Sequence, residues 1–283
     1  MKRISALSGV MAGLLLTGAA PLAAQDQGGV VSIGGSVTEI VYALGQEDRL
    51  VARDTTSTWP EEVSALPDVG YMRALSPEGV LSVSPSLILS EEGAGPPETI
   101  SVLEAASVPF VTVPEVYSSE GISEKIRLVG EALGVRDEAD VLAAQVEREL
   151  EAAQATASGV SDPKRVLFIL STQGGRIMAA GEGSAADAII RMSGAVNAMS
   201  GFEGYKPVSD EAVSAAAPDA ILMMDRTGDH AIEDADLLAM PALRNTPAAG
   251  QGQVIRMNGL LLLGFGPRTA SAVTELNSRL YGK

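Results

Sequence analysis

The sequence predicts an α/β protein built as two matched lobes with a cleft between them. From Val30 onward, apolar runs alternate with helical patterns, which is the signature of layered α/β architecture. A fifteen-residue stretch is also written twice: Leu75-Ser76-Pro77-Glu78-Gly79-Val80 and on to Leu89 is echoed by Val208-Ser209-Asp210-Glu211-Ala212-Val213 and on to Leu222, at a constant offset of 133 residues. Gly70-Tyr71 precedes the first copy and Gly204-Tyr205 the second, displaced by one residue. A period this long exceeds any solenoid repeat and matches two small α/β units. Clefts between such units are where ligands bind.

The ends and the composition narrow the class. Lys2-Arg3 followed by a small and apolar run to Ala20, then Pro21-Leu22-Ala23-Ala24 and the polar Gln25-Asp26, read as a cleaved signal peptide over residues 1–24. The apolar stretch is short for a membrane anchor, and no second span follows. There is no cysteine, hence no disulfide framework and no lipoprotein thiol. The expectation is a free periplasmic protein. Its formal charge is −16, and losing Lys2 and Arg3 takes it to −18, which argues against nucleic acid as a partner. The expected organisation is an N-terminal lobe at 25–136, a linking helix at 137–160 and a C-terminal lobe at 161–283.

The elements follow in order. Val30-Val31-Ser32-Ile33 is a buried strand, Gly34-Gly35 a turn, and Ser36-Val37-Thr38-Glu39 a capping-box pattern opening a helix that Gly45 stops. In each echo a Ser, followed two residues later by Glu, opens a helix that ends before Pro85 or Pro218, and a strand follows directly. Phe110-Val111-Thr112-Val113 and Val254-Ile255-Arg256-Met257 add a strand to each half. The stretch 122–133 is an amphipathic helix stopped by Gly134. A second helix covers 137–157, with Val141, Ala144, Val146, Leu150 and Ala153 near helical spacing. The second half repeats the opening: a strand at 166–170, a glycine-rich connection, and a helix from Ser184 toward Gly194. One stiff helix between lobes restrains hinge closure more than flexible strands do, so a largely pre-formed cleft is expected.

Enzyme signatures are mostly missing. His230 is the sole histidine and lies in a polar, loop-like run, and without cysteine or a second histidine no ordinary zinc site can be assembled. Gly181-Glu182-Gly183 lacks the third glycine of a dinucleotide fingerprint and reads as a turn before a helix. Tyr71 stands out in Gly70-Tyr71-Met72-Arg73. A phenolate can ligate a hard ferric ion, provided its pKa of about 10 falls substantially. The metal supplies most of that fall, and Arg73 adds to it if the segment is extended and both side chains share a face. From spacing alone, packing of Tyr71 at the lobe rim is the favoured reading.

Val31-Ser32-Ile33-Gly34-Gly35-Ser36-Val37-Thr38-Glu39-Ile40 with Tyr42-Ala43-Leu44-Gly45 resembles the opening of the helical-backbone, class III substrate-binding proteins of ABC importers. Gly70-Tyr71-Met72-Arg73-Ala74-Leu75-Ser76-Pro77-Glu78 is similar to the periplasmic haem-binding subgroup, as are Ser107-Val108-Pro109-Phe110-Val111 and Gly204-Tyr205-Lys206-Pro207-Val208-Ser209. The resemblance implies two Rossmann-like lobes joined by one long α-helix, with ferric haem as the transported ligand in the cleft. It implies Tyr71 as the axial iron ligand with Arg73 beside it.

By the same resemblance, Arg226 is the first candidate for the haem propionates, with Tyr205, Lys206 and Arg176 as further haem-binding candidates. Glu78 and Glu211 would dock into a dimeric inner-membrane ABC permease with its ATPase, the carrier itself being a monomer and not an enzyme. Some relatives stack two haems using a histidine after the first strand of the second lobe. Here that loop reads Ser171-Thr172-Gln173-Gly174-Gly175, with none. The alternatives are the same fold holding a ferric siderophore or cobalamin, or a haem-modifying periplasmic enzyme.

Overall fold

The computed structural model describes residues 29–225 and 232–282. The first lobe holds β1 (Val30–Ile33), α1 (Gly35–Ala43), β2 (Leu50–Arg53), α2 (Pro77–Leu81), β3 (Leu87–Glu91), α3 (Pro97–Glu104) and β4 (Phe110–Val113). Its sheet is parallel throughout, in the order β2-β1-β3-β4. Two helices follow, α4 (Ser119–Leu133) and α5 (Arg136–Ala157). The second lobe continues through β5 (Arg165–Ser171), β6 (Ile177–Ala180), α6 (Ala185–Met192), β7 (Val196–Asn197), β8 (Tyr205–Val208), α7 (Asp210–Ala216) and β9 (Ala220–Met224). It then runs through α8 (Asp234–Ala239), α9 (Pro247–Gln251), β10 (Val254–Met257), α10 (Gly259–Leu263) and α11 (Thr269–Tyr281). Its sheet runs β10-β9-β5-β6-β8, with β7 pairing to β5.

The echoed stretches become α2–β3 and α7–β9. Ser76 caps the first helix by accepting from the Gly79 amide at 3.0 Å, and Ser209 caps the second by accepting from the Ala212 amide at 3.2 Å. The echo breaks just upstream. The glycine-rich connection expected after β5 is present, but it leads into β6 rather than straight to α6; β6 is antiparallel to β5 and in turn pairs antiparallel with β8. The strand β2 was also not anticipated, because Leu50-Val51-Ala52-Arg53 is too short to show a clear period.

The expected capping box at the start of α1 does not form. Gly34, at φ 105°, is the N-cap, so Ser36 already lies inside the helix. Its hydroxyl instead donates to Glu91 Oε2 at 3.0 Å, and Glu39 is buried against Arg268 of the second lobe. A sharp turn straight off β1 starts the helix two residues earlier than the pattern suggests.

The 22-residue α5 spans about 33 Å. It packs on α4 on one side and α11 on the other, so it touches both lobes. Its buried stripe is Ala139, Ala143, Val146, Leu150, Ala153 and Ala157, alternating steps of four and three. Val141, expected on that face, is exposed, and Ala144 is only half-buried. The small-residue seam wins because it lets α5 approach its neighbours closely. One apolar core runs from Val30, Ile40 and Val129 through Val146 and Leu150 to Phe168, Ile189 and Leu276, so the lobes share it. Two further clusters cover the outer faces of the sheets.

Gly130 of α4 faces Ala139 so closely that any Cβ there would overlap the alanine methyl. Gly130→Leu is expected to force α4 and α5 apart at a cost of about 1–3 kcal/mol. Urea denaturation measures this, and an unchanged midpoint would show that the crossing does not depend on this contact.

Candidate functional site

Parallel strands release their C-terminal ends along one edge, where ligands of open α/β sheets bind. Here those edges face each other. A side chain on Gly35, just after β1, would collide with Leu260 of α10 and with the Thr56 carbonyl. Tyr117, after β4, packs on Phe265, with ring centroids 5.0 Å apart. Arg268, at the start of α11, donates through Nε to Glu39 Oε1 at 3.1 Å, and its guanidinium stacks 4.5 Å from the ring centre of Trp59. Burial pushes the Glu39 carboxyl above the ordinary range even though Arg268 and Lys125 pull it down.

A buried ionic cluster forms the floor. The Lys125 ammonium, fully enclosed, donates to Glu115 Oε1 at 2.7 Å and Ser36 Oγ at 3.0 Å, and lies 3.7 Å from Glu91 Oε1. Burial, reinforced by the Glu115 carboxyl beside it, holds Glu91 well above the usual carboxylate range. Burial also acts on Glu115, but its hydrogen bond with Glu91 and the Lys125 charge outweigh that and hold it low. The two carboxyls are thus pushed in opposite directions, Glu91 up and Glu115 down. Tyr117 is pushed up by burial and by the Glu115 charge and stays a neutral phenol. Sequence reasoning missed this cluster. Its one signal was a lysine on the apolar stripe of α4, three residues after Ile122 and four before Val129.

Tyr71 sits on one wall. The turn Tyr71–Ala74 is closed by a backbone hydrogen bond of 2.7 Å, so the segment is not extended as the sharing of one face by Tyr71 and Arg73 required. The turn reaches a similar end by another route. Met72 and Leu75 plunge into the outer core of the lobe, while Tyr71, 46% exposed, and Arg73 stay outside. Gly70 precedes them at φ 105°, a conformation that disfavours any side chain. Arg73 has no ion pair with a carboxylate among the described residues, and its positive charge reaches Tyr205 across the cleft and lowers that phenol's pKa. Burial nonetheless leaves Tyr205 raised on balance.

On the opposite wall, β8 sends successive side chains to opposite faces. Tyr205 shares the face of Phe168, edge-on at 6.1 Å, with the start of α6 beside it. Lys206 takes the other face, near the Phe202 ring at 5.9 Å. Arg176, in extended backbone just before β6, alternates onto the same face as Ala180 and Tyr205, toward the strand end. Arg73 thus lies close enough to Tyr205 to act on it, Arg176 shares the sheet face of Tyr205, and Lys206 takes the opposite face. Arg226 and His230 lie outside the described residues. Glu78 and Glu211 are exposed, each in the first turn of its helix. Hydrogen bonding from its own backbone and from Ser209 holds Glu211 below the usual range. Among the described residues no group of three acidic or histidine side chains is placed to hold a bare metal ion.

A raised Glu91 means that the native protein binds more protons than the unfolded chain above the ordinary carboxylate range. Stability must therefore fall as pH rises through that window. Glu115, held low, contributes the opposite sign, and its share is lost as pH falls through its depressed range. Thermal melts should show the decline in wild type and its absence in Glu91→Gln; an identical decline in both would show that Glu91 is not the group responsible. Lys125→Met leaves the carboxyls without their cation and should cost about 3–5 kcal/mol.

Residues 30–259 match the model of the periplasmic binding protein family. The solved periplasmic haem-binding protein BhuT, in complex with two haems, is 43% identical and superposes with a TM-score of 0.85 over 89% of this chain and 97% of that one. The periplasmic haem-binding protein RhuT from Roseiflexus sp. RS-1, in apo form, is 39% identical, with a TM-score of 0.86 over 90% and 98%. An uncharacterised ABC-transporter substrate-binding lipoprotein of Bacillus subtilis, YvrC, is 29% identical over 89% of this chain and 79% of its own. A vitamin B12-binding protein of Yersinia pestis is 34% identical over 99 residues, 35% of either chain. Among the described residues, no helix is long and apolar enough to cross a membrane. With its two sheets facing across a cleft and α5 packed on both lobes, the chain belongs to the periplasmic binding protein family, as a substrate-binding protein of an ABC importer.

Proposed function

We propose that the protein captures ferric haem between lobes at 25–136 and 161–283 and delivers it to an inner-membrane ABC permease and its ATPase, as a soluble periplasmic monomer without catalysis. The observation that carries this is the exposed Tyr71 phenol on a turn anchored by buried Met72, with the Arg73 charge directed into the same cleft. Tyrosine is a hard oxygen donor that favours Fe(III), which suits a carrier that must keep its cargo oxidised and transferable. Iron lowers the phenol pKa on binding, and the nearby guanidinium favours the anion. Tyr71 and Tyr205 are partly exposed aromatic side chains suited to a flat, largely apolar ligand. The likeness to BhuT and RhuT supports the same reading. Propionates would meet Arg176 and Arg226, with Lys206 a weaker partner because of the face it takes.

Cobalamin is the second reading, favoured by the stretch shared with the vitamin B12-binding protein. Hemin titration should give wild type a high-spin ferric tyrosinate spectrum that Tyr71→Phe loses. Binding of cyanocobalamin with no hemin spectrum would replace haem with cobalamin. Glu78→Arg combined with Glu211→Arg should abolish uptake into permease-containing vesicles and leave hemin binding intact. Lost hemin binding in that variant would place these carboxylates in the cleft rather than on the docking face.

A further inference from the structure

Asp54, the residue directly after β2, is fully buried, yet it makes no ion pair among the described residues. Its carboxylate is satisfied entirely by one turn and its neighbour. Oδ1 accepts from the Gly34 amide at 3.0 Å and the Ser57 hydroxyl at 2.8 Å. Oδ2 accepts from the Thr56 amide at 2.9 Å and the Thr56 hydroxyl at 2.8 Å. A buried carboxylate with four donors is rigid, because losing any one leaves a lone pair unsatisfied.

The Thr56 hydroxyl passes that rigidity on in two directions. Its oxygen accepts from the Gly35 amide at 3.1 Å, fixing the start of α1, and it lies 4.0 Å from Met72 Sδ. The adjoining Thr55 amide donates to the Gly70 carbonyl at 3.0 Å. Gly70 and Met72 flank Tyr71, so both anchors of the tyrosine turn trace back to Asp54 within two contacts. The other tether, Arg53 to Asp68 at 2.6 Å with Asp68 accepting from the Gly70 amide at 2.8 Å, is partly exposed. Exposed pairs contribute little, about 0–1 kcal/mol.

We propose that the Asp54–Thr56 turn is a positioning device for the ligand-binding turn, with the Thr56 hydroxyl as the residue-level link that sets where Tyr71 and Arg73 stand in the cleft. The proposal rests on the reading of Tyr71 as the haem-iron ligand. Outer-shell partners of a metal ligand govern affinity because they fix the donor's orientation before the metal arrives. Thr56→Val keeps the shape and removes the hydroxyl, whereas Thr56→Ser keeps the hydroxyl.

The test measures hemin affinity, the tyrosinate charge-transfer spectrum and the melting temperature of the full-length protein for wild type, Thr56→Val, Thr56→Ser and Asp54→Asn. It adds the NMR resonance of Tyr71 in ligand-free protein, assigned by its loss in Tyr71→Phe. Thr56→Val should remain folded, weaken hemin binding by about 10–100-fold, alter the charge-transfer bands and shift or broaden the free Tyr71 resonance. Thr56→Ser should restore wild-type behaviour, and Asp54→Asn should resemble Thr56→Val or exceed it. Wild-type affinity, spectrum and Tyr71 resonance in Thr56→Val would overturn the proposal. If wild type gives no hemin tyrosinate spectrum, the haem reading fails on its own, and the Tyr71 resonance of ligand-free Thr56→Val still decides whether the turn positions that side chain.

Discussion

The enclosed ammonium of Lys125 holds the cleft floor together. It reaches from α4 to the last residue of β3, to Glu115 just after β4 and to Ser36 in α1, so one cation ties a helix to three segments at the strand ends of the sheet. Two carboxyls this close disfavour each other's ionisation, and a single lysine offsets only one charge. The strain is relieved in opposite directions, with Glu91 pushed well above the usual carboxylate range and Glu115, next to Tyr117, held below it. Through the Tyr117–Phe265 contact, that arrangement touches the second lobe.

The seam between the lobes is built with similar economy. Glu39 and Arg268 pair across it in a setting dry enough to raise the Glu39 carboxyl, and Trp59 covers the guanidinium. Removing Arg268 would leave a buried carboxyl without its cation, so sliding the lobes apart here is costly. The shared apolar core and α5 act in the same direction. Together they favour a cleft whose walls are set in the free protein, with adaptation confined to side chains and loops.

The two walls differ in how they are held. On the first, a turn pinned by Met72 and by the Asp54 network presents a phenol and an arginine. On the second, a strand fixes Tyr205 by alternation and register. An exposed side chain on a rigid support loses little conformational freedom on binding, which is what pre-organisation means for affinity. The exposed carboxylates proposed to face the permease need no such support. Glu78 and Glu211 sit at matched helix starts, where the helix N-terminus already favours an anion.

Much of this was legible in the chain. The 133-residue echo gave the two lobes, because a helix cap and a buried strand repeat wherever the same local structure repeats. Gly134 at φ 73° ends α4 as its position after an amphipathic run suggested. Tyr71 and Arg73 were singled out by composition and neighbours. The sequence did not disclose that Ser36 and Glu39 abandon their capping pattern, that β6 and β8 add antiparallel strands, or that Val141 faces solvent.

Local periodicity and capping are encoded within a few residues, so the sequence alone determined the elements and their order. Which polar groups meet across 55, 89 or 229 positions, as Ser36 does with Glu91 and Lys125 and Glu39 with Arg268, was decided only by folding. Pairing over such separations depends on where the sheets end in space, and no local pattern records that.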